Sequence, residues 1–279
     1  MYAWNPPINA IPGALFALEL AGRSVGWAAL RMAETDPELW LFDMFVLPEY
    51  RRHGIGTQGY VRLVQYLRRR GARRLLAGAG CEQQAGRSFL GRQGFQEIGG
   101  MITYQLNLAT SARTDWGDPD ALLTAQGLRF ATLDRFPRHR LAERLLPLWN
   151  RTRPDQPQHW PYRPYHARRL EQEMLEPEAV SLPHSFVIVT PGGQLVALAL
   201  SARLSDTCLA SIYLGVDPDF RGRRLATALK QKLLAHAQGH GITLLIAEND
   251  RRTLAMHTIN RRLGFTPRSE RLVFAQALP

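Results

Sequence analysis

The strongest constraint on this chain is that one segment of it occurs twice. Val46-Leu47-Pro48-Glu49-Tyr50-Arg51-Arg52-His53-Gly54-Ile55-Gly56-Thr57 returns as Val216-Asp217-Pro218-Asp219-Phe220-Arg221-Gly222-Arg223-Arg224-Leu225-Ala226-Thr227, every matched pair 170 residues apart. Gln93-Gly94-Phe95 returns as Leu263-Gly264-Phe265 at the same spacing, so no insertion or deletion separates the copies over this stretch. A fixed internal period means one structural unit built twice. The 279 residues suffice for two ordinary domains, each with its own core.

The offset also shows what the copies do not share. The second copy begins near Leu128, so its opening elements map to positions before or around residue 14, and the first copy lacks them. The expected division is a first domain over 1–108, a polar linker over 109–127 and a complete second domain over 128–279. In the second copy the patterns predict a strand over 128–136, helices over 139–150 and 165–175, and strands over 185–190, 194–203 and 207–216. A helix over 223–238, a strand over 242–247, a helix over 253–263 and two short strands near 266–269 and 272–277 follow. The first copy repeats the later elements as strands over 15–19, 25–31 and 40–47, a helix over 54–70, a strand over 74–77, a helix over 87–93 and a strand over 101–108.

Composition excludes several classes. Hydrophobic residues at 45% and charged residues at 21% are globular values, which rules out disordered, collagen-like and coiled-coil chains. No apolar run reaches the roughly 20 residues of a membrane helix, so a cytoplasmic protein with no membrane partner is expected. Cys81 and Cys208 fit neither a disulfide framework nor paired zinc ligands and read as free thiols. The net charge of +11 would suit an anionic partner, but only Lys230 and Lys232 are lysines, and a GC-rich coding bias explains such arginine richness as well as binding does. The densest run, Arg68 to Arg70 with Arg73 and Arg74, has no interleaved aromatics for stacking on bases and reads as a solvated helix end. Nucleic acid is therefore not the expected partner.

Chemistry is concentrated where each copy runs from a strand, through Val-x-Pro and an aromatic, into a basic, glycine-containing loop that opens a long helix. Backbone N–H groups of a first helical turn have no intrahelical acceptor, and the helix dipole adds partial positive charge, so this arrangement binds phosphate. Small residues at Gly54 and Gly56 let a phosphate approach the backbone, and Arg51 and Arg52 add charge.

Here the sequence resembles the GNAT superfamily of acyl-CoA N-acyltransferases, whose cofactor loop reads Arg/Gln-x-x-Gly-x-Gly/Ala at the end of the fourth strand. Arg51, Gly54 and Gly56 match it, and Arg221 and Ala226 match it in the second copy, where Arg224 replaces the usual Gly and would either crowd a diphosphate or pair with it. The last helix of the second copy is similar to that of tandem, mycothiol synthase-like members through Asn249, Met256, Asn260, Leu263, Gly264 and Phe265. The resemblance implies two α/β (α+β) domains, each a mixed, mostly antiparallel sheet flanked by helices, with splayed central parallel strands. It implies acetyl-CoA as cofactor, held by Arg51, Arg52, His53, Gly54, Ile55, Gly56 and Thr57 in the first copy and by Arg221, Gly222, Arg223, Arg224, Leu225, Ala226 and Thr227 in the second. Backbone of Phe45 and Val46, or of Gly215 and Val216, would pair with the pantetheine amides. Asn249 and Asn260 are either further cofactor contacts or ordinary capping and surface residues.

Direct acetyl transfer to a primary amine needs a base, because an ammonium has no lone pair, and needs no metal. Asp43, three residues before Val46, is the first candidate base; the competing reading is a strand-edge carboxylate paired with an arginine. Its counterpart is Tyr213, and Glu248 at the end of the second copy's fifth strand is the next candidate. The tyrosine that many relatives use as an acid is replaced by Leu90 and Asn260. Trp149, Trp160, Tyr162 and Tyr165 fall in the second copy's acceptor-wall region, where packing of a proline-rich connection also explains them, and His159 and His166 read as surface residues. The sequence thus points to an N-acetyltransferase of small-molecule amines with one productive copy; the alternative is a protein that binds acyl-CoA without transferring the acyl group.

Overall fold

The computed structural model describes residues 13–33, 36–111, 117–157, 162–176 and 180–278. The chain forms two compact units that do not follow it linearly. The first comprises the described residues up to Met101 together with the chain from Ser269 onward. The second runs from Ile102 to Arg268, apart from the short stretch 158–163.

The first unit contains strands β1 (Gly13–Leu20), β2 (Arg23–Ala33), β3 (Asp36–Val46) and β4 (Arg74–Gly80), with helices α1 (Ile55–Arg68) and α2 (Gln84–Arg92). The strand β11 (Thr266–Ala277) completes its sheet, in the order β1-β2-β3-β4-β11. Here β11 runs antiparallel to β4, with Arg271 opposite Gly80 and Ala277 opposite Arg74. Two short strands were expected over 266–277, and one continuous strand is found.

The second unit contains β5 (Gln96–Asn107, from Ile102), β6 (Arg129–Thr132), β7 (Phe186–Val189), β8 (Leu195–Ser205), β9 (Cys208–Val216) and β10 (Leu244–Asp250) in the order β5-β10-β9-β8-β7-β6. Each copy's last strand therefore completes the other copy's sheet. Among the registered pairs only β3–β4 and β9–β10 are parallel, so both sheets are mixed and mostly antiparallel, as expected.

Helices α6 (Leu225–Gly239) and α7 (Leu254–Arg262) repeat α1 and α2, while α4 (Arg138–Thr152) and α5 (Ala167–Leu170), prolonged by the π-helical turn Glu171–Leu175, belong to the second unit alone. The linker is not wholly irregular. Pro119–Thr124 forms a short helix, α3, whose N-cap Asp118 accepts the Ala121 N–H at 2.9 Å.

The second unit packs both faces of its sheet. Leu225, Leu229, Leu233 and Ala237 of α6 meet Leu209, Leu245 and Phe265 on one side, and Leu141, Leu145, Leu148 and Trp149 of α4 meet Val187, Leu198, Leu200 and Tyr213 on the other. In the first unit the side under α1 holds Leu30, Phe42, Tyr60, Leu63, Leu67 and Phe95. Among the described residues its other side holds a small cluster of Ala33, Leu39 and Leu76 and carries no counterpart of α4, and Trp27 and Phe45 there are each 39% exposed.

Candidate active site

Pairing between β3 and β4 runs from Leu39 opposite Arg74 to Phe42 opposite Ala77. Both strands continue beyond it, so they part at Asp43 and Gly78. Likewise β9 and β10 pair from Cys208 opposite Leu244 to Ser211 opposite Ala247 and part at Ile212 and Glu248. Phe45 and Val46, and Gly215 and Val216, lie beyond these last pairs, still paired on their other side to β2 and β8. Parallel strands that diverge leave backbone amides on the facing edges to be satisfied by an inserted extended chain.

Each parting strand leads through a short turn, Pro48–Tyr50 or Pro218–Phe220, into a loop with two left-handed positions. In the first copy these are Arg52 (φ +68°) and Gly54 (φ +77°); in the second, Gly222 (φ +76°) and Arg224 (φ +61°). Both loops therefore need the same backbone, and each meets it with one glycine and one arginine in opposite order. Gly54 and Arg224 are the N-cap residues of α1 and α6, and neither helix has a side-chain cap. The first turns close with Gln58 N–H to Gly54 O at 2.9 Å and Ala228 N–H to Arg224 O at 3.0 Å. Among the described residues no acceptor meets the N–H groups of Ile55, Gly56 and Thr57, or of Leu225, Ala226 and Thr227. Three convergent donors at the positive end of a long helix fit a diphosphate, and a Cβ built on Gly54 would approach only the Gln58 side chain, at 3.7 Å.

The arginines that begin the loops fold back onto the strands. Arg51 donates from Nε to Val46 O at 2.9 Å, and Arg221 makes the equivalent bond to Val216 O at 3.2 Å. In the second copy Arg221 is also ion-paired with Asp155. There Asp217, 2% exposed, takes two hydrogen bonds from Arg151 at 2.8 and 2.9 Å, and Arg151 reaches Asp219 at 2.7 Å. Burial pushes the Asp217 carboxyl up, but the bonds from Arg151 and the Asp219 N–H outweigh it and hold the group below its usual range. Arg223 lies over the Phe220 ring at 4.9 Å, while Arg52 and His53 are exposed. Sequence reading gave no hint of the Arg151 clamp, whose partners stand 66 residues apart.

Asp43 stands where β3 and β4 part, opposite Ala29 on the sheet side that no helix among the described residues of its unit covers. Its side chain is exposed, yet its neighbours remove enough water to raise its carboxyl above the usual value, against the lowering effects of the Met44 N–H, Arg271 and Arg31. Arg271 comes from β11, and its Nη1 lies 2.9 Å from the point where a Cβ on Gly78 would stand. Neither arginine was singled out from the sequence. The period-two alternation of β2 carries the only signal, since it puts Arg31 on the face of Trp27 and Ala29.

Tyr213, the counterpart of Asp43, is 5% exposed and stacks on Trp149 with centroids 4.3 Å apart. Its hydroxyl bonds Thr152 Oγ1 at 2.7 Å, and Thr152 in turn donates to Leu148 O, so Tyr213 is the donor of the pair. Glu248 is half-buried at the first position of β10 beyond the pairing with β9. Asn260 is fully buried and donates to Asn249 Oδ1 at 2.7 Å, so these two asparagines meet each other; the Asn260 carbonyl oxygen has no partner among the described residues. Leu90 is buried in the first core.

His257, from α7, ties the turn after β10 in place. Its Nε2 donates to Asp250 O and its Nδ1 accepts from Tyr104, both at 3.0 Å. Trp149 and Tyr165 pack together in the second core, His166 caps α5 by accepting the Arg169 N–H at 3.3 Å, and Tyr162 is half-buried; Trp160 and His159 lie outside the described residues. Among the described residues no group of three His, Cys, Asp or Glu side chains is arranged to hold a metal, Cys81 and Cys208 form no disulfide, and no helix is long and apolar enough to cross a membrane.

The model of the acetyltransferase (GNAT) family matches residues 2–95 and 142–265, one region in each copy. A tandem GNAT protein from the clavulanic acid biosynthesis pathway superposes with a TM-score of 0.74 at 18% identity, over 99% of this chain and 85% of that one. A GCN5-related N-acetyltransferase from Sphaerobacter thermophilus gives 0.70 at 16% identity, over 92% and 78%. An acetyltransferase of the GNAT family from Colwellia psychrerythraea gives 0.60 at 14% identity, over 95% and 85%. No curated protein sequence matches significantly. With both copies matched by the family model, and with parted parallel strands leading to uncapped helix starts in each, the chain is a tandem member of the GNAT family of acyl-CoA N-acyltransferases.

Proposed function

We propose that the protein is an acetyl-CoA-dependent N-acetyltransferase that acts on a small-molecule primary amine, and that its first copy is the productive one. The carrying observation is Asp43: an exposed carboxylate, raised in pKa, at the point where β3 and β4 part. When bound, the cofactor supplies the activated acyl group as a thioester. The N–H groups of Ile55, Gly56 and Thr57 would hold its diphosphate, with Arg51 and Arg52 adding charge and His53 beside them, and the β3 edge at Phe45 and Val46 would pair with its amides. Asp43 takes the proton from the acceptor ammonium at a carboxylate oxygen, and Arg31 and Arg271 oppose the rise that burial imposes on its pKa.

The second copy is better suited to holding than to turnover. Tyr213 is sealed beneath Trp149, and Arg221 is engaged by Asp155, so the loop is braced by its own side chains. Leu225, Ala226 and Thr227, with Gly222, Arg223 and Arg224 before them, offer a second diphosphate seat that steadies the fold.

Thiol release from acetyl-CoA across an amine panel tests this reading. Asp43→Asn is expected to lower kcat by about 100-fold or more, while Glu248→Gln changes it by less than about threefold. Equal turnover in the Asp43→Asn and unsubstituted proteins would overturn the assignment of the first copy.

A further inference from the structure

The uncovered side of the first unit's sheet carries more than a base. Arg31 lies one step along β2 from Ala29, the residue opposite Asp43, so the two charged side chains are diagonal neighbours on one face. Arg31 is half-buried, and among the described residues its guanidinium makes no hydrogen bond or ion pair, with Nη1 shielded from solvent. A guanidinium has five donors in a rigid fork, and desolvating it without acceptors is costly. On the other side of Asp43, Arg271 crosses Gly78 at the level where the strands part. Asp43 thus sits between two cations, and beyond it Trp27 and Phe45 stack with centroids 6.3 Å apart, both exposed.

A simple amine satisfies only part of this arrangement. Its ammonium suits Asp43 but faces two guanidinium groups of its own sign. An acceptor that carries a carboxylate beside the amine answers both charges: ammonium to Asp43, carboxylate to the Arg31 fork, and an apolar side chain over Trp27 and Phe45. We propose that the first copy's acceptor is an amino acid, recognised through its carboxylate by Arg31. This rests on the reading of Asp43 as the base of an acetyl transfer, and it is tested so that the two can fail separately. In the transfer, Asp43 takes one proton from the ammonium, the freed amine nitrogen bonds to the acyl carbon, the carbon–sulfur bond breaks, and the nitrogen's second proton passes to the departing thiolate, which leaves as the thiol.

The intact protein is assayed with two matched pairs, phenylalanine against phenethylamine and tryptophan against tryptamine, by thiol release. In parallel, each compound is titrated calorimetrically into protein loaded with coenzyme A. The amino acids are expected to exceed the amines by about tenfold or more in kcat/KM and in affinity. Arg31→Gln is expected to erase that preference by raising KM for the amino acids about tenfold more than for the amines; Arg31→Lys, which keeps the charge, is expected to restore part of it. Amines used or bound as well as the amino acids by the unsubstituted protein would overturn the inference and leave the transferase reading intact. Selective amino acid binding that is lost in Arg31→Gln, with no thiol release from any acceptor, would uphold the site and overturn the transferase. Neither turnover nor binding with either amino acid would overturn the proposed acceptor.

Discussion

Arg224 heads α6 in the left-handed conformation, φ +61°, at the position where Gly54 heads α1 with φ +77°. The family loop is drawn to this geometry by the need to turn amide hydrogens toward an anion, and a side chain with a Cβ resists it by about 1 kcal/mol. Arg224→Gly is therefore expected to stabilise the protein by about 1 kcal/mol in urea denaturation. No gain, or a loss, would mean that the Arg224 side chain makes compensating contacts.

The Arg151–Asp217 pair predicts a loss. Asp217 is buried and held by two bonds from a half-exposed guanidinium, so Arg151→Ala leaves a buried carboxylate without its main partner. The expected outcome at pH 7 is a lower urea denaturation midpoint for Arg151→Ala than for the unsubstituted protein. The folded-state pKa is depressed, so this stability is present above the unfolded value near 3.9 and is lost as pH falls through the lower folded value. Denaturation midpoints of the two proteins are expected to converge toward pH 3.

Lys230 occupies in α6 the position of Tyr60 in α1. Tyr60 has Gln276 for its hydroxyl, whereas Lys230, 3% exposed, has among the described residues the Phe265 ring 4.9 Å from its ammonium and no hydrogen-bond acceptor. Burial lowers its pKa to about 8. A lowered folded pKa means the unfolded chain binds the proton more tightly, so the penalty is full below pH 8 and fades as pH rises toward 10.4. Lys230→Met is expected to raise stability by about 2 kcal/mol at pH 7 and by much less near pH 10. A destabilised Lys230→Met at pH 7 would contradict this.

Three imidazoles gather where α6 ends: His184, His236 and His240, with centroids 5.1, 5.8 and 3.9 Å apart. Burial, then the neighbouring histidines and Lys232, lower His236 to about 4, against a raising effect of Asp134. Burial likewise lowers His184, with His240 and Arg203 acting in the same direction and Asp134 opposing. Both groups take up protons more readily unfolded, so the melting temperature is expected to fall as pH drops from about 6.5 to 4, and His236→Phe is expected to flatten that slope. An unchanged slope would exclude this cluster as its cause.

The repeat made the fold legible because identical local patterns recur at one offset, and the paired elements of both copies appear close to their expected places. The exchange of β5 and β11 was not legible, since alternation marks a strand without naming its neighbour. That exchange delivers Arg271 to Asp43 and Tyr104 to His257, so part of each site depends on chain from the other half. Helix α3 was hidden in polar sequence, with the Asp118-Pro119 start as its one local sign. The cofactor loops were read from glycine spacing, but the swapped order of arginine and glycine becomes meaningful only with the φ values in hand. Tyr213 stood at the register position of Asp43, and only the packing of Trp149 above it distinguishes a core hydroxyl from a reacting one.

The central claim is that the uncapped start of α1 holds the diphosphate of coenzyme A, and calorimetric titration of coenzyme A into the intact protein and its Thr57→Asp variant tests it most directly. Thr57 is exposed in the first turn of α1, where a carboxylate stabilises the helix start while repelling an anion, so loss of binding cannot be ascribed to unfolding if the melting temperature is retained. The account predicts that Thr57→Asp melts at or above the temperature of the unsubstituted protein and loses the high-affinity site, with affinity reduced about 100-fold. Unaltered affinity in Thr57→Asp, or no binding by the unsubstituted protein, would contradict it.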